Sequence, residues 1–434
     1  MKKAVFPVML CLLLSISSVS RAQFLMDMID TSTDVGKGMF SMYKNFNSLR
    51  LGGYMQPQFQ IAQRQGAKGY AGGDFAQHVN NRFMLRRGRI RVDYERSNKD
   101  SMPVVQFAFQ FDGTERGVNI RDFWGRFFEN KYDMFSLTAG VFPRPFGYEI
   151  NLSSSDRETP ERGRMSQILM RTERDLGAMI SWEPRRRKDF WRKLKVDAGF
   201  FNGQGLSGTA DYDSHKDFIA RAYFRQLKVS PKMRLSVGAS VLQGGMQQFT
   251  PYINKIQGKA FVIDSTGNID KVAPRHYYGA DAQLRVANRV GWTEFRAEYI
   301  RGKQTATAAT TETPGSIPMA GGVPAPLYIR PFDGAYFYYV QHLHSLKHQL
   351  IVKYDWYDPN TEVKGKDIGD NVDDRFTAAD IKYNTLGICY LYHFSPQLKM
   401  FFNYDMVDNE GTSLEGYTDD LKDNVFTCRL QFRF

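Results

Sequence analysis

The segment Val425-Phe426-Thr427-Cys428-Arg429-Leu430-Gln431-Phe432-Arg433-Phe434 puts Phe426, Cys428, Leu430, Phe432 and Phe434 in one row. Val425, Thr427, Arg429, Gln431 and Arg433 form the other. Successive side chains of a β-strand point to opposite faces, so this strand has one apolar and one largely polar face. A transmembrane β-barrel needs that division, with lipid on one side of its wall and a wet lumen on the other. The aromatic Phe434 is expected to act as a signal to the barrel-assembly machinery.

The other end of the chain agrees. Lys2 and Lys3 precede the apolar run Ala4–Leu14 and a Ser20-Arg21-Ala22 tripeptide, the pattern of a secretory signal cleaved after Ala22. Mean hydropathy is −0.45, and beyond the signal no apolar run nears the ~18 residues of a membrane helix. A membrane-spanning mature chain must therefore cross as a closed barrel. Removing Lys2, Lys3 and Arg21 leaves +9 of the formal +12, a basic balance that suits anionic lipid or anionic solutes. Export argues against nucleic acid as a partner. Cys389 and Cys428 fall on strands that are not neighbours and are read as unpaired. The organisation expected is a signal peptide over 1–22, a periplasmic segment over 23–48 and an outer-membrane barrel over 49–434. In the segment, Val35, Met39, Met42, Tyr43 and Phe46 share a helical face.

Alternating segments predict strands over 49–64, 82–96, 102–112, 118–129, 133–142, 174–183, 192–202, 216–227, 231–243, 275–287, 291–302, 333–343, 347–357, 383–394, 397–408 and 424–434. Short connections such as Ser97–Asp100, Val229–Ser230 and Ser395–Pro396 alternate with long polar ones at 65–81, 143–173, 203–215, 244–274, 303–332, 358–382 and 409–423. An all-β, up-and-down antiparallel barrel of about sixteen strands produces that rhythm, with short periplasmic turns and long outer loops. The link at 112–117 departs from it by being short. Aromatic residues at strand ends, Trp182, Trp191, Tyr336–Tyr339, Trp356, Tyr390 and Tyr392, are expected at the membrane interfaces.

Parity along the strands sends Leu194, Val196, Ala198 and Phe200 toward lipid and Lys195 and Asp197 inward. The same rule turns Arg89, Arg91, Arg221, Arg225, Arg285, Arg296, Lys353, Lys399, Arg429 and Arg433 toward the lumen. Arginine suits a passage for oxyanions, because its guanidinium stays charged and offers paired donors. Asp93, Asp197, Asp281, Glu294, Glu298, Asp355 and Asp405 share that face, so the plain reading for most of these cations is ion pairing along the wall. The residues 143–173 are too long for a routine connection and are expected to fold inward as a constriction loop. The loop's arginines and acids balance, Arg144 standing at its root, and internal pairing is expected.

Three motifs point to a family. Phe83-Met84-Leu85-Arg86-Arg87-Gly88-Arg89-Ile90, Ile120-Arg121-Asp122-Phe123-Trp124 and Leu137-Thr138-Ala139-Gly140-Val141-Phe142-Pro143-Arg144-Pro145-Phe146-Gly147-Tyr148-Glu149 follow in order. In order and spacing they resemble segments of the phosphate-selective porin O and P family. The likeness is sharpest over 80–205, with Val141 and Arg144 standing where family members commonly carry glutamine and lysine. It implies a sixteen-stranded homotrimeric porin, a loop that narrows the pore, and basic residues that guide small anions such as phosphate. The candidate anion-binding residues are Arg89, Arg91, Arg144, Lys195, Arg221, Arg225, Arg285 and Arg296, with Phe434 as assembly signal and the outer membrane of a Gram-negative bacterium as location.

Other motifs yield no site. Gly203-x-Gly205-x-x-Gly208 leads into a second strand, without the helix that would bind pyrophosphate. His342, His344 and His348 flank a turn with no adjoining cysteine, and no metal or cofactor is expected. No histidine shares a motif with a nucleophile, which weighs against a barrel hydrolase. A non-conducting barrel acting as an adhesin or surface scaffold is the alternative to a pore.

Overall fold

The computed structural model describes residues 48–187, 189–208, 210–343 and 347–434. The signal over 1–22, the segment 23–48 apart from Ser48, and His344 lie outside the described residues. Strands β1 (Leu49–Ala62), β2 (Asn81–Ser97), β3 (Pro103–Thr114), β4 (Gly117–Phe128) and β5 (Phe135–Pro143) precede the long loop. After it come β6 (Arg174–Trp182), β7 (Leu194–Phe201), β8 (Asp217–Ser230) and β9 (Met233–Gln247). The second half holds β10 (Ile253–Gln257), β11 (Ala260–Asp264), β12 (Val272–Ala287), β13 (Trp292–Ala306), β14 (Met319–Ala320) and β15 (Val323–Pro324). It ends with β16 (Leu327–His342), β17 (His348–Asp358), β18 (Tyr383–Ser395), β19 (Leu398–Asn409) and β20 (Val425–Arg433).

Among the described residues, sixteen strands form the closed antiparallel barrel. Each pairs with its neighbours in sequence, and β20 closes on β1 with Tyr54 opposite Arg433 and Ala62 opposite Val425. The hairpin β10–β11 and the small β14–β15 ribbon lie in long connections. No described helix is long and apolar enough to cross a membrane.

Strand parity holds along the wall. Phe432 and Phe200 are exposed on the outer face, and Arg429, Gln431 and Asp197 are buried on the inner one. The two-residue link at 115–116 is genuine, and Gly117 at its exit has φ +141°, a conformation open to glycine. Two expectations need correction. Strand β16 starts at Leu327 rather than 333, because Ile253–Lys255 of β10 pair in parallel with Leu327–Ile329 and extend the ladder. Tyr336 and Tyr338 point inward and are buried, while Phe337 between them is exposed, so only alternate members of that aromatic run face outward.

Those inward tyrosines belong to an apolar core inside the barrel. Phe146, Ile150, Met165, Ile168 and Leu169 of the 144–173 loop cluster with Tyr277, Phe332, Tyr336, Tyr357 and Phe401 of the wall. Ring centroids run Phe146–Tyr277 at 6.0 Å, Tyr277–Phe332 at 5.1 Å and Phe332–Tyr357 at 6.2 Å. Each such side chain removed from water contributes ~1.5–3 kcal/mol. The lumen is thus partly filled by a packed loop.

Candidate functional site

The loop enters the barrel at Arg144 and turns at Gly147, whose φ of +63° and close approach to Glu298 leave no room for a side chain. The backbone N–H groups of Gly147, Tyr148 and Glu149 are accepted by Ser240 Oγ at 2.9 Å and by Glu298 Oε2 at 3.1 and 3.2 Å. Tyr336 donates to the same Glu298 oxygen at 2.6 Å. Further along, the short helix Arg164–Leu169 begins where Glu149 accepts the Gly163 N–H and Asp355 of β17 accepts that of Arg164, each bond near 3.0 Å. Carboxylates at a helix start satisfy its free donors and oppose its dipole.

Across the lumen the same loop is held by β1, β2, β19 and β20. Gln56 and Gln431 donate to the carbonyls of Ser154 and Ser155, each at 3.0 Å. Lys399 Nζ donates to those of Ser155 at 2.8 Å and Arg157 at 3.1 Å. Glu161 receives Arg87 at 2.6 Å, Arg429 at 2.7 Å and Arg86 at 3.0 Å. Burial alone would raise the Glu161 carboxyl, and the Arg86, Arg87 and Arg429 guanidiniums outweigh it, holding the group well below the usual carboxylate range. Glu173 sits between Arg121 and Arg162 and is likewise held low against its burial. Glu158 takes both Arg296 nitrogens at 2.7 Å. Internal pairing was expected for this loop, yet apart from Arg162–Glu173 these acids reach wall arginines. Sequence balance within a segment does not reveal which charges face one another.

Three cavities lie beside the loop. At the long-loop end a cavity of about 730 Å³ is bordered by Arg86, Arg87, Arg89, Arg121 and Arg162. At the short-turn end one of about 1040 Å³ is bordered by Tyr148 of the loop and by Arg221, Arg225, Arg234 and Arg285 of the wall. Between them lies a space of about 240 Å³ lined by Arg91, Trp124, Arg126, Lys195 and Arg221. Arg221, Tyr223 and Asn151 border both of the last two. The ion pairs Arg121–Glu173 and Arg174–Asp122 stand between the middle and outer spaces.

Lys195, Arg221, Arg225, Arg285 and Arg91 therefore border these cavities. Arg91 bonds Asp93 and Asp122, Arg221 bonds Asp281 at 2.9 Å, Arg225 bonds Glu183, and Lys195 lies 3.2 Å from Asp197. Arg89 reaches the outer cavity but is buried, tied to Asp112 at 2.9 Å and to Ser154 Oγ at 2.8 Å. Arg144 is buried at the loop root and donates to the Thr172 carbonyl; Arg296 lies in the joint between loop and wall. Sequence reading passed over Arg126 and Arg234, although parity with Trp124 and with Ser236 and Ser240 turns both inward. In the basic connection after β6, Arg185, Arg192 and Lys193 border the short-turn cavity.

Fold and loop define a sixteen-stranded transmembrane barrel with an internally folded loop. No family model and no curated protein matches the chain. Among solved structures, the high-pH structure of OprB from Pseudomonas putida aligns with a TM-score of 0.56 at 9% identity, over 92% of this chain and 97% of that one. The in-vitro folded trimer form of OmpT, an outer membrane protein of Vibrio cholerae, gives 0.49 at 10% identity, over 89% and 99%. OmpF of Salmonella typhi in complex with daunomycin gives 0.49 at 12%, over 89% and 97%. The likeness to OprB is one of barrel fold along nearly the full length of both chains.

Proposed function

We propose that this protein is an outer-membrane porin, a diffusion channel for small solutes that favours anions such as phosphate. The observation carrying the reading is the set of cavities beside the loop, in each of which arginines outnumber carboxylates. Low-dielectric walls concentrate the field of cations left without a carboxylate, and such a field raises the local concentration of anions. The porin motifs over 80–205 support the same reading and, with it, a homotrimer in a Gram-negative outer membrane. Phe434 joins the barrel seam through backbone bonds to Gly53 at 3.0 and 3.2 Å, while its ring is 70% exposed. That exposure supports a role as the assembly signal, and its deletion should lower the yield of folded, heat-modifiable barrel.

The non-conducting reading draws on the anchoring of the loop to opposite walls and on the cluster of Phe261, Val363, Ile368, Phe376 and Ile381 that packs the outer connections. Planar-bilayer recording of the refolded protein separates the two. Steps of ohmic conductance with chloride preference support the porin; silent insertion of folded barrel supports the scaffold.

A further inference from the structure

The short-turn cavity has a charge arrangement that ion pairing along the wall does not explain. Arg234 of β9 and Arg285 of β12 are register partners on the same face, and Glu294 of β13, opposite Arg285 on its other side, is taken by Arg296. Like charges so placed repel and cost stability. Neither has a carboxylate partner among the described residues, nor has Arg192 beside them, and the Nε of Arg285 is buried without a hydrogen bond. The acids bordering the cavity are engaged elsewhere: Glu294 with Arg296 at 2.7 Å, Glu183 with Arg225, and Asp189 with Arg187 at 2.5 Å.

Flat surfaces accompany the charges. Tyr148 and Tyr223 border the space. The guanidinium of Arg285 lies 4.6 Å from the Trp292 ring centre. A guanidinium held against a ring keeps its edge free to offer two donors to a carboxylate. The volume of about 1040 Å³ is far more than a halide or phosphate fills, and it suits an organic ligand. The adjoining space of about 240 Å³ is the smaller and shares Asn151, Arg221 and Tyr223 with this cavity, so an anion held here stands at its entrance.

We infer that the short-turn cavity is a binding site for planar organic polyanions, aromatic rings bearing two or more carboxylates, and that a bound one blocks the path from that end alone. The sidedness rests on the porin reading, whereas the binding does not. The probe is trimesate, a flat benzene tricarboxylate, compared with its saturated cyclohexane analogue of equal charge. Added to each face of a single reconstituted channel in turn, trimesate should block from one face at a concentration about tenfold below that needed from the other. It should do so about tenfold below the saturated analogue. The Arg234→Gln/Arg285→Gln variant, which relieves a repulsion and so should fold, should lose the difference between faces. Equal block from both faces, equal block by the two tricarboxylates, or an unaltered variant would overturn the site. Should the protein not conduct, the porin reading fails, and calorimetry of trimesate with the detergent-solubilised barrel decides the site separately. Heat of binding lost in the double variant supports it, and no heat from the parent protein overturns it.

Discussion

Glu161 is the residue on which the loop's position most depends. One carboxylate answers three arginines from β2 and β20, and breaking a buried pair from one side costs ~3–5 kcal/mol because the other charge stays buried. Glu161→Gln should lower the denaturant midpoint of the barrel by an equivalent amount and make the loop accessible to protease; Glu161→Asp should retain part of the contact. The folded carboxyls of Glu161 and Glu173 titrate well below their ordinary range. Their stabilisation is therefore present above the unfolded glutamate value of ~4.3 and lost only as pH falls through the lower folded values. Conductance should show no loop-opening step between neutral pH and about pH 4. Asp423, in a long connection, behaves in the opposite sense. Burial pushes it up to about 6, so its contribution is present below the usual aspartate range and lost as pH rises through that value. Asp423→Asn should stabilise more at pH 8 than at pH 5 in thermal unfolding. Parity made the inward direction of Arg89, Arg91 and Arg221 readable from sequence. The partners of Arg87 and Arg429 were not, since Glu161 reaches them only once the loop folds into the closed barrel.

At the scale of elements, the strands were legible because each carries its own alternation, and β7 and β18 lie within two residues of their expected limits. What sequence could not supply was what covers the inner face. Tyr336 and Tyr338 read as interfacial girdle residues until the loop is seen to pack on them. Likewise β10 has a short, ambiguous pattern whose strand character comes from its partners Ala260–Asp264 and Leu327–Ile329. The connection 63–80 also turns inward: Ala71 O accepts from Gln58 and Gln60 of β1 at 3.2 and 2.9 Å. Tyr70 from that connection stacks on Arg164 of the long loop, 4.6 Å from ring centre to guanidinium. The loop's own entry was partly legible in Pro145-Phe146-Gly147. Gly147→Ala places a methyl group against Glu298 in a left-handed conformation, which costs at least ~1 kcal/mol of backbone strain. It should release the Gly147–Glu149 anchors, and single channels should then fluctuate between sublevels while the barrel remains heat-modifiable.

For the whole molecule, the closed barrel leaves no free sheet edge in the wall among the described residues and presents Phe83, Ile90, Phe200, Phe295 and Phe337 outward. Its polar and charged groups gather inside, where most arginines have acids within reach and a few at the short-turn end do not. Net charge, loop rhythm and closing strand were open to reading in the sequence. Which cations remain unpaired depends on three-dimensional neighbours, and under the proposed porin function that remainder sets the sign of the selectivity. The most direct measurement is the zero-current potential of the reconstituted protein across a KCl gradient. The account predicts a potential of the sign given by chloride preference, falling toward zero in molar salt, where screening extends ~3 Å, and reduced in Arg234→Gln/Arg285→Gln. A potassium-selective potential, or folded barrels that pass no current, would contradict it.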